Sequence, residues 1–434
     1  MKDQRSRTSI FFSALSENLP AAALYVASTG SLMVGLCAQF VGFIVLARYL
    51  GAAQFGHLMA ITAATSIALS ISGLGTEEVL LRRCVREPTL YPELLGHSLI
   101  LILISGSVLS IIAVLGLNVL VRLDAGPLRN VETLSIFVAS NIILARGIVL
   151  TEFILIAQKK TMHANIVVAG FALARALAAI VGCVLFGVNR LETWALWHGG
   201  VHVVGTLACI AAIGGYGAPR WCILGEEIWR GIHGSTMQLV SNLSQNIDRL
   251  VLTTVVSPMT VGAYSVASNI VRSSLVTLLS FSRLVYSNLA IAGVNGAPAT
   301  LKLAVKYLPI ITGLGAANTI GLFVIAPFLP SLFGSEYGES VHYLILFCWL
   351  PILVAIQNIA YDALGAAEKH GVRALFYNIT GIVGAGLIAG LTYFYGVNGA
   401  VVGIYLSLVV ISVGLWLILI VLGQRDKKKH HHGL

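Results

Sequence analysis

Apolar runs of twenty or more residues recur from near the start of this chain to near its end, and that recurrence constrains it more than any motif does. A run of that length crosses roughly 30 Å of hydrocarbon as a helix, because a backbone in lipid has to satisfy its own hydrogen bonds. Of 434 residues, 57% are hydrophobic and 10% are charged, whereas soluble domains carry about 25% charged residues. No soluble core uses that much apolar surface. The spacing predicts helices over roughly 21–47, 57–80, 94–121, 133–157, 165–188 and 193–215 in the first half. The second half gives roughly 235–256, 260–290, 304–330, 341–364, 372–396 and 399–422. The chain is therefore expected to be an all-α membrane protein of twelve transmembrane helices, multi-pass and without a soluble appendage.

Twelve spans place both termini on one side, and the basic residues decide which. With cytoplasmic termini, inside segments hold 18 Lys and Arg, among them Lys2, Arg82, Lys159, Arg220, Lys302, Lys369 and Arg425. Outside loops hold four: Arg48, Arg122, Arg129 and Arg190. Positive residues collect on the cytoplasmic side, so this asymmetry fixes the orientation. It also explains the net charge of +9. The basic residues lie between apolar segments and form no stripe on a folded surface, which excludes nucleic acid as a partner. The apolar stretch after Lys2, Arg5 and Arg7 is too long for a signal peptide and is expected to stay as the first helix. Six scattered cysteines read as small core residues. The tail from Arg425 through His432 reads as a cytoplasmic charge anchor.

The halves resemble each other. Leu50-Gly51-Ala52-Ala53-Gln54-Phe55-Gly56 matches Val256-Ser257-Pro258-Met259-Thr260-Val261-Gly262 at an offset of 206, and Phe186-Gly187-Val188-Asn189 matches Tyr395-Gly396-Val397-Asn398 at 209. The basic turn with Lys159 and Lys160 falls opposite the one with Lys369 and Arg373. Duplication follows, with two pseudo-symmetric six-helix lobes, 1–220 and 221–434, the second carrying the basic tail. Six spans return the chain to its starting side, so both lobes have the same orientation. Paired repeats around a site are the architecture of alternating access.

Five arginines remain inside the expected helices: Arg146, Arg175, Arg249, Arg272 and Arg283. A charge at mid-membrane costs at least about 2.5–3.5 kcal/mol, so such residues face a polar cavity or a carboxylate. At 100° per residue Gln238, Asn242, Gln245 and Arg249 share one face of helix 7, with Asp248 at its edge. Ser265, Asn269, Arg272 and Arg283 share a face of helix 8. Guanidinium forks among amides suit phosphate or diphosphate. The competing reading pairs the arginines with Glu152, Glu77, Glu78 or Asp362, and Arg283 stands near enough to the cytoplasmic end to snorkel. Asp248 and Glu152 are candidates for coupling transport to protons or sodium. His198 and His202 have the i, i+4 spacing of a metal pair but no third ligand, so no metal and no cofactor is expected.

Asn246-Ile247-Asp248-Arg249-Leu250-Val251-Leu252, followed by Val261-Gly262-Ala263-Tyr264-Ser265-Val266-Ala267, resembles the helix 7 to helix 8 signature of polysaccharide flippases of the Wzx type. Ala47-Arg48-Tyr49-Leu50-Gly51 with Gln54-Phe55-Gly56 resembles that family's helix 1 to helix 2 junction. These motifs mark the wider superfamily, which includes multidrug exporters and the lipid II flippase. The resemblance implies a MATE-like fold of two lobes forming a V in the bacterial inner membrane. It also implies translocation of an undecaprenyl-diphosphate-linked oligosaccharide to the periplasmic leaflet. The diphosphate would sit in a cationic lumen and the tail among membrane lipids, with other polysaccharide-assembly proteins as partners. Arg272 and Arg283 match no family motif, so their roles rest on the helical faces alone. An ion-coupled multidrug exporter of the same fold would want acidic and aromatic lumen residues for cationic drugs. A membrane polysaccharide polymerase or ligase would want a large periplasmic loop, yet the longest outside segment is about a dozen residues.

Overall fold

A computed structural model describes the backbone of residues 2–120 and 131–432 and the side chains of 30, 31, 33–119 and 131–425. Arg122 and Arg129, and the basic side chains at both chain ends, lie outside the described residues. Every regular element among the described residues is helical. The order is α1 (Lys2–Ile71), α2 (Thr76–Arg86), α3 (Tyr91–Leu120), α4 (Val131–Ala139), α5 (Ala145–Ala157), α6 (Thr161–Ile180) and α7 (Leu191–Ile213). Then come α8 (Gly225–Val255), α9 (Pro258–Ser274), α10 (Val276–Gly293), α11 (Ala297–Ile325), α12 (Leu329–Phe333), α13 (Gly338–Phe347), α14 (Leu350–Ala366) and α15 (His370–His432).

Eight stretches are long and apolar enough to cross a membrane, and α13 with α14, bent by 43°, forms a broken ninth. Two of the eight are double-length, Met33–Arg86 with 54 residues and His370–Arg425 with 56. Each divides at a glycine in a backbone region that side chains avoid, Gly51 (φ 73°) and Gly396 (φ 59°), and the first is broken again at Ser72–Gly75. Divided at those two glycines, the apolar stretches make eleven spans. The 31-residue α8 is long enough to be a twelfth but too polar to qualify by hydropathy. Eleven apolar spans with α8 as the candidate twelfth are consistent with the twelve expected, and the broken α4–α5 and α9–α10 segments fall within single spans.

The turns that pair in sequence also share backbone conformation. Lys159 (φ 59°) and Glu368 (φ 58°) are left-handed, 209 residues apart, as are Gly187 (φ 65°) and Gly396. At both turns the chain closes a helix in the same way: Lys160 N–H donates to the Leu155 carbonyl at 2.8 Å, and Lys369 N–H donates to the Leu364 carbonyl at 3.2 Å. This is a six-to-one helix closure, normally given to glycine. Gly56 and Gly262, 206 apart, meet reciprocally. A Cβ on Gly56 would lie 1.8 Å from the Pro258 carbonyl oxygen, and one on Gly262 would lie 2.2 Å from that of Ala52. Only hydrogen fits at either position, and close backbone approach of this kind is how helices associate in lipid.

Two compact units are present. One comprises Met1–Leu46, Ile71–Ile111 and Glu132–Gly234; the other comprises Ala47–Ser70, Ile112–Val131 and Ser235–Leu434. They cut across the expected halves 1–220 and 221–434, because Ala47–Ser70 packs with the second unit and 221–234 stays with the first. The first unit has its core where Leu80, Cys84, Leu94, Leu95, Leu150 and Ile154 meet, from α2, α3 and α5. The second packs Leu278, Leu289, Ile311, Ile359, Leu364 and Leu415 from α10, α11, α14 and α15. Within the second unit the start of the Ala52–Ser70 segment is clamped. Ala52 N–H donates to a Glu336 carboxylate oxygen at 2.9 Å, Tyr337 O–H donates to the Ala47 carbonyl at 2.8 Å, and Arg48 donates to the carbonyls of Ser331 and Leu332. A carboxylate at a helix N-terminus offsets the partial positive charge of its free N–H groups.

The helix expected over 57–80 is interrupted. Ser72–Gly75 unwinds, with Gly73, Leu74 and Gly75 all left-handed (φ 73°, 50° and 73°), before α2 resumes and runs on to Arg86. Gly73 N–H, freed by the break, donates to Ser105 Oγ at 2.8 Å.

Candidate functional site

The break at Ser72–Gly75 swings α2 so that Glu77 faces α5. There Arg146 Nη2 lies 2.7 Å from Glu77 Oε1, both side chains nearly buried. Arg146, which the sequence leaves open between a ligand contact and a carboxylate partner, is thus neutralised by Glu77, one of the partners the competing reading names, and it lies outside the proposed site. Every ion pair among the described residues joins residues between 77 and 230, in the first unit. Arg175, on α6, stacks on Phe171 with its guanidinium carbon 5.9 Å from the ring centroid. Glu152 is half-buried, without a hydrogen-bond or ion-pair partner among the described residues. His198 and His202 stack with centroids 4.2 Å apart; Asn141 Oδ1 lies 2.9 Å from His198 Nε2, and His202 Nδ1 lies 2.8 Å from the His198 carbonyl. No cluster of three metal-ligating side chains occurs among the described residues.

The second unit's cations are held differently. Arg249, 3% exposed, donates through Nη2 to Ser268 Oγ at 2.7 Å and Asn269 Oδ1 at 2.8 Å. Its neighbour Asp248, 1% exposed, accepts from the Tyr264 hydroxyl at 2.6 Å. The two adjacent charges of the motif therefore do not pair with each other. Each crosses from α8 to α9, Asp248 to Tyr264 within the sequence motif and Arg249 to Ser268 and Asn269 just beyond it, and together they lock that helical hairpin. The expected ion-coupling carboxylate is at the same time a structural acceptor, and its second oxygen is buried without a partner.

Arg272, half-buried at the end of α9, donates to the Gln245 carbonyl of α8. Arg249 and Arg272 stand close enough for their charges to interact, and neither has a carboxylate within ion-pairing distance among the described residues. Gln245 is exposed and donates to Ser241 Oγ at 2.9 Å; Asn242 donates to Ser70 Oγ at 2.6 Å; Gln238 is exposed one turn earlier on α8. Arg283, exposed on α10, has no partner among the described residues. Arg249, Arg272, Asn269 and Gln245 thus meet where α8 and α9 touch, whereas Asn242 bonds Ser70 and Gln238 lies three turns before Arg249 on α8, beside α14. Arg146 and Arg175 lie in the other unit.

Two cavities differ in chemistry. One of about 480 Å³, between α6 and α7, is lined by Ala174, Leu196, Trp197, Gly200, Val201 and Val204. It is an apolar groove, with no charged residue among those that line it. The other, about 270 Å³, is lined by Met237, Gln238 and Ser241 of α8, Gln357, Asn358 and Tyr361 of α14, and Tyr377 of α15. Of these, sequence reasoning found Gln238 alone. The detectable signal was Gln357-Asn358, two adjacent amides in the middle of an otherwise apolar segment.

The fold is that of the MATE transporters of the MOP superfamily. An inward-facing multidrug resistance MATE family transporter of that superfamily superposes with a TM-score of 0.73 at 16% identity, covering 92% of this chain and 99% of its own. An outward-facing multidrug resistance MATE structure gives 0.62 at 17% identity, covering 93% and 96%. A MOP superfamily transporter from Pyrococcus furiosus, described as having a binding pocket of reversed polarity, gives 0.59 at 18%, covering 93% and 95%. No curated protein matches the chain in sequence. Residues 25–286 match the family model described as polysaccharide biosynthesis protein, well over half of the chain, and the protein belongs to that family. It is a multi-pass membrane protein, and the resemblance first read from the α8–α9 motif and the helix 1 to helix 2 junction agrees with this placement.

Proposed function

We propose that the protein is a flippase that moves an undecaprenyl-diphosphate-linked oligosaccharide from the cytoplasmic to the periplasmic leaflet of a bacterial inner membrane. Its two repeats, 1–220 and 221–434, would exchange access by alternation with both termini cytoplasmic. The observation that carries the reading is the pair Arg249 and Arg272. Two guanidinium groups on α8 and α9, bonded only to hydroxyl, amide and carbonyl oxygens, outnumber the one carboxylate beside them, Asp248, and leave an excess positive charge. A membrane protein retains such charge where an anion completes it, and a diphosphate is the anion whose geometry a guanidinium fork fits. Arg283, exposed on α10, adds a third cation in the same apolar stretch as Arg272. Family membership supports a glycan as the cargo.

Polysaccharide export in cells tests the reading. Arg272→Ala should weaken substrate binding by about 10- to 100-fold, the loss of one charge-assisted contact. Arg272→Ala with Arg249→Ala should abolish export while protein remains in the membrane, and Arg272→Lys should restore part of it. Wild-type export by the double variant would end the proposal.

The fold also supports a second reading, ion-coupled export of drugs, since two of the structures cited are multidrug transporters. A cationic drug would need carboxylates beside Arg249 and Arg272, and the carboxylate there, Asp248, is engaged on one oxygen by Tyr264 and buried. Restored drug resistance on expression in a sensitive strain, without any effect on glycan export, would favour that reading.

A further inference from the structure

The polar cavity of the second unit has features that the arginine pair does not account for. Gln357 is 9% exposed and lines this cavity, yet its Oε1 has no hydrogen-bond partner. A buried carbonyl oxygen left bare costs about 1–3 kcal/mol, so an orphan at a cavity wall marks a place where an occupant donates. The other polar groups are of the same kind: the amides of Gln238 and Asn358 and the hydroxyls of Ser241, Tyr361 and Tyr377. None of the lining residues is charged, so the cavity selects a ligand rich in hydroxyls and poor in charge.

Aromatic surface completes the wall. Tyr361 and Tyr377 meet edge-on with centroids 5.5 Å apart, and the Arg373 guanidinium sits 4.3 Å from the Tyr361 ring centroid. Arg373 is held against α14 because Gly365 has no side chain; a Cβ there would fall 2.1 Å from Nη1. The Tyr361 ring is therefore fixed between a cation and a second ring. Fixed aromatic faces beside amides and hydroxyls form a surface for a sugar ring, which presents C–H bonds on its faces and hydroxyls at its rim. About 270 Å³ holds roughly nine waters at about 30 Å³ each, the volume class of one or two sugar rings and too little for a long glycan.

Position ties this cavity to the arginines. Ser241 lines it and accepts from the Gln245 side chain, and the Gln245 backbone carbonyl holds Arg272. Four residues of α8 span roughly 6 Å along the axis. That is the separation between a diphosphate and the sugar attached directly to it.

We propose that this cavity is a saccharide subsite that receives the sugar nearest the diphosphate, with Gln357 and Asn358 as its hydrogen-bonding centre and Tyr361 as its platform. The inference rests on the flippase reading, which supplies the diphosphate beside it. It assigns this unit the discrimination of the first sugar, since a site built to bond hydroxyls rejects a ligand that leaves its polar groups unpaired.

The test uses the full-length protein in detergent and two probes, a short polyprenyl diphosphate carrying one hexose and the same polyprenyl diphosphate without sugar. Wild-type protein should bind the glycosylated probe at least about tenfold more tightly, the worth of one to two well-made hydrogen bonds. Gln357→Leu should bring that ratio close to one. Because Gln357 is buried and its replacement can disturb folding, Tyr377→Phe, which removes only a hydroxyl at the wall, should also reduce the ratio in protein that elutes as a single species. Equal binding of both probes by wild-type protein would overturn the subsite and leave the flippase standing. Failure to bind either probe would overturn both.

Discussion

At the scale of single residues, the family motif has a mechanical meaning before it has a functional one. Asp248 and Arg249 are consecutive, opposite in charge and buried, and each is committed to α9 through Tyr264 or through Ser268 and Asn269. Asp248→Ala leaves the Tyr264 hydroxyl buried and unpaired and should cost about 1–3 kcal/mol, read as a lower unfolding temperature in detergent. Asp248→Asn keeps an acceptor and should change stability little. If Asp248 also carries the coupling ion, the Asn variant will be stable yet transport-dead; stable and fully active protein would remove it from that role. The helical faces of α8 and α9 were legible because 100° periodicity is local. The fate of Arg146 was not, because its pairing with Glu77 depends on three consecutive left-handed residues, one of them Leu74, that a helix-length apolar run conceals. Gln357 escaped notice for a different reason: its significance lies in what it fails to bond, and a missing partner is invisible until the fold is known.

At the scale of elements, the points of closest approach belong to the duplicated parts of the chain. The loop ends around Gly56 and Gly262 that identified the repeat in sequence are also where the Ala52–Ser70 segment and α9 touch, backbone against backbone, within the second unit. The similarity of those loops therefore has a physical cause, because both copies need a residue without a side chain at the same crossing. Gly262→Ala or Gly56→Ala places a Cβ about 2 Å from a carbonyl oxygen and has to push two helices apart. Overpacking of this kind costs about 1–3 kcal/mol, so each variant should unfold several degrees below wild type, and the double variant should fall short of the sum because both relieve one crossing. Unchanged thermal stability in both single variants would show that the helices separate freely. Helix existence and approximate length were readable throughout, whereas the break at Ser72–Gly75 and the polar first turns of α8 were not. Tertiary partners decide both features. Gly75 lies against the Gly231 carbonyl, and Glu227 accepts from Arg230 and pairs with Arg83.

At the scale of the whole molecule, everything proposed depends on α8 crossing the membrane, although its hydropathy alone would not place it there. With 31 residues it is long enough, and its polar face is occupied by the residues assigned to the substrate. The distribution of basic residues gives an independent argument, since removing one span would exchange the sides of every later loop and place Lys302, Lys306, Lys369 and Arg373 outside. Accessibility of single cysteines settles the matter, in a background where Cys37 and Cys222 are replaced by Ser and the other four cysteines stay buried. Exposed positions on either side of α8 are available: Lys160 and Arg190 before it, Lys302 and Ser335 after it. A membrane-impermeant maleimide added to intact cells should label Arg190→Cys and Ser335→Cys, and should reach Lys160→Cys and Lys302→Cys only after permeabilisation. If α8 does not cross, Lys160 and Arg190 keep their behaviour while Lys302 and Ser335 exchange theirs. In that outcome Arg249 lies outside the hydrocarbon, Arg272 in Pro258–Gly293 is left without its cationic partner in the membrane, and the flippase reading loses the pair on which it stands.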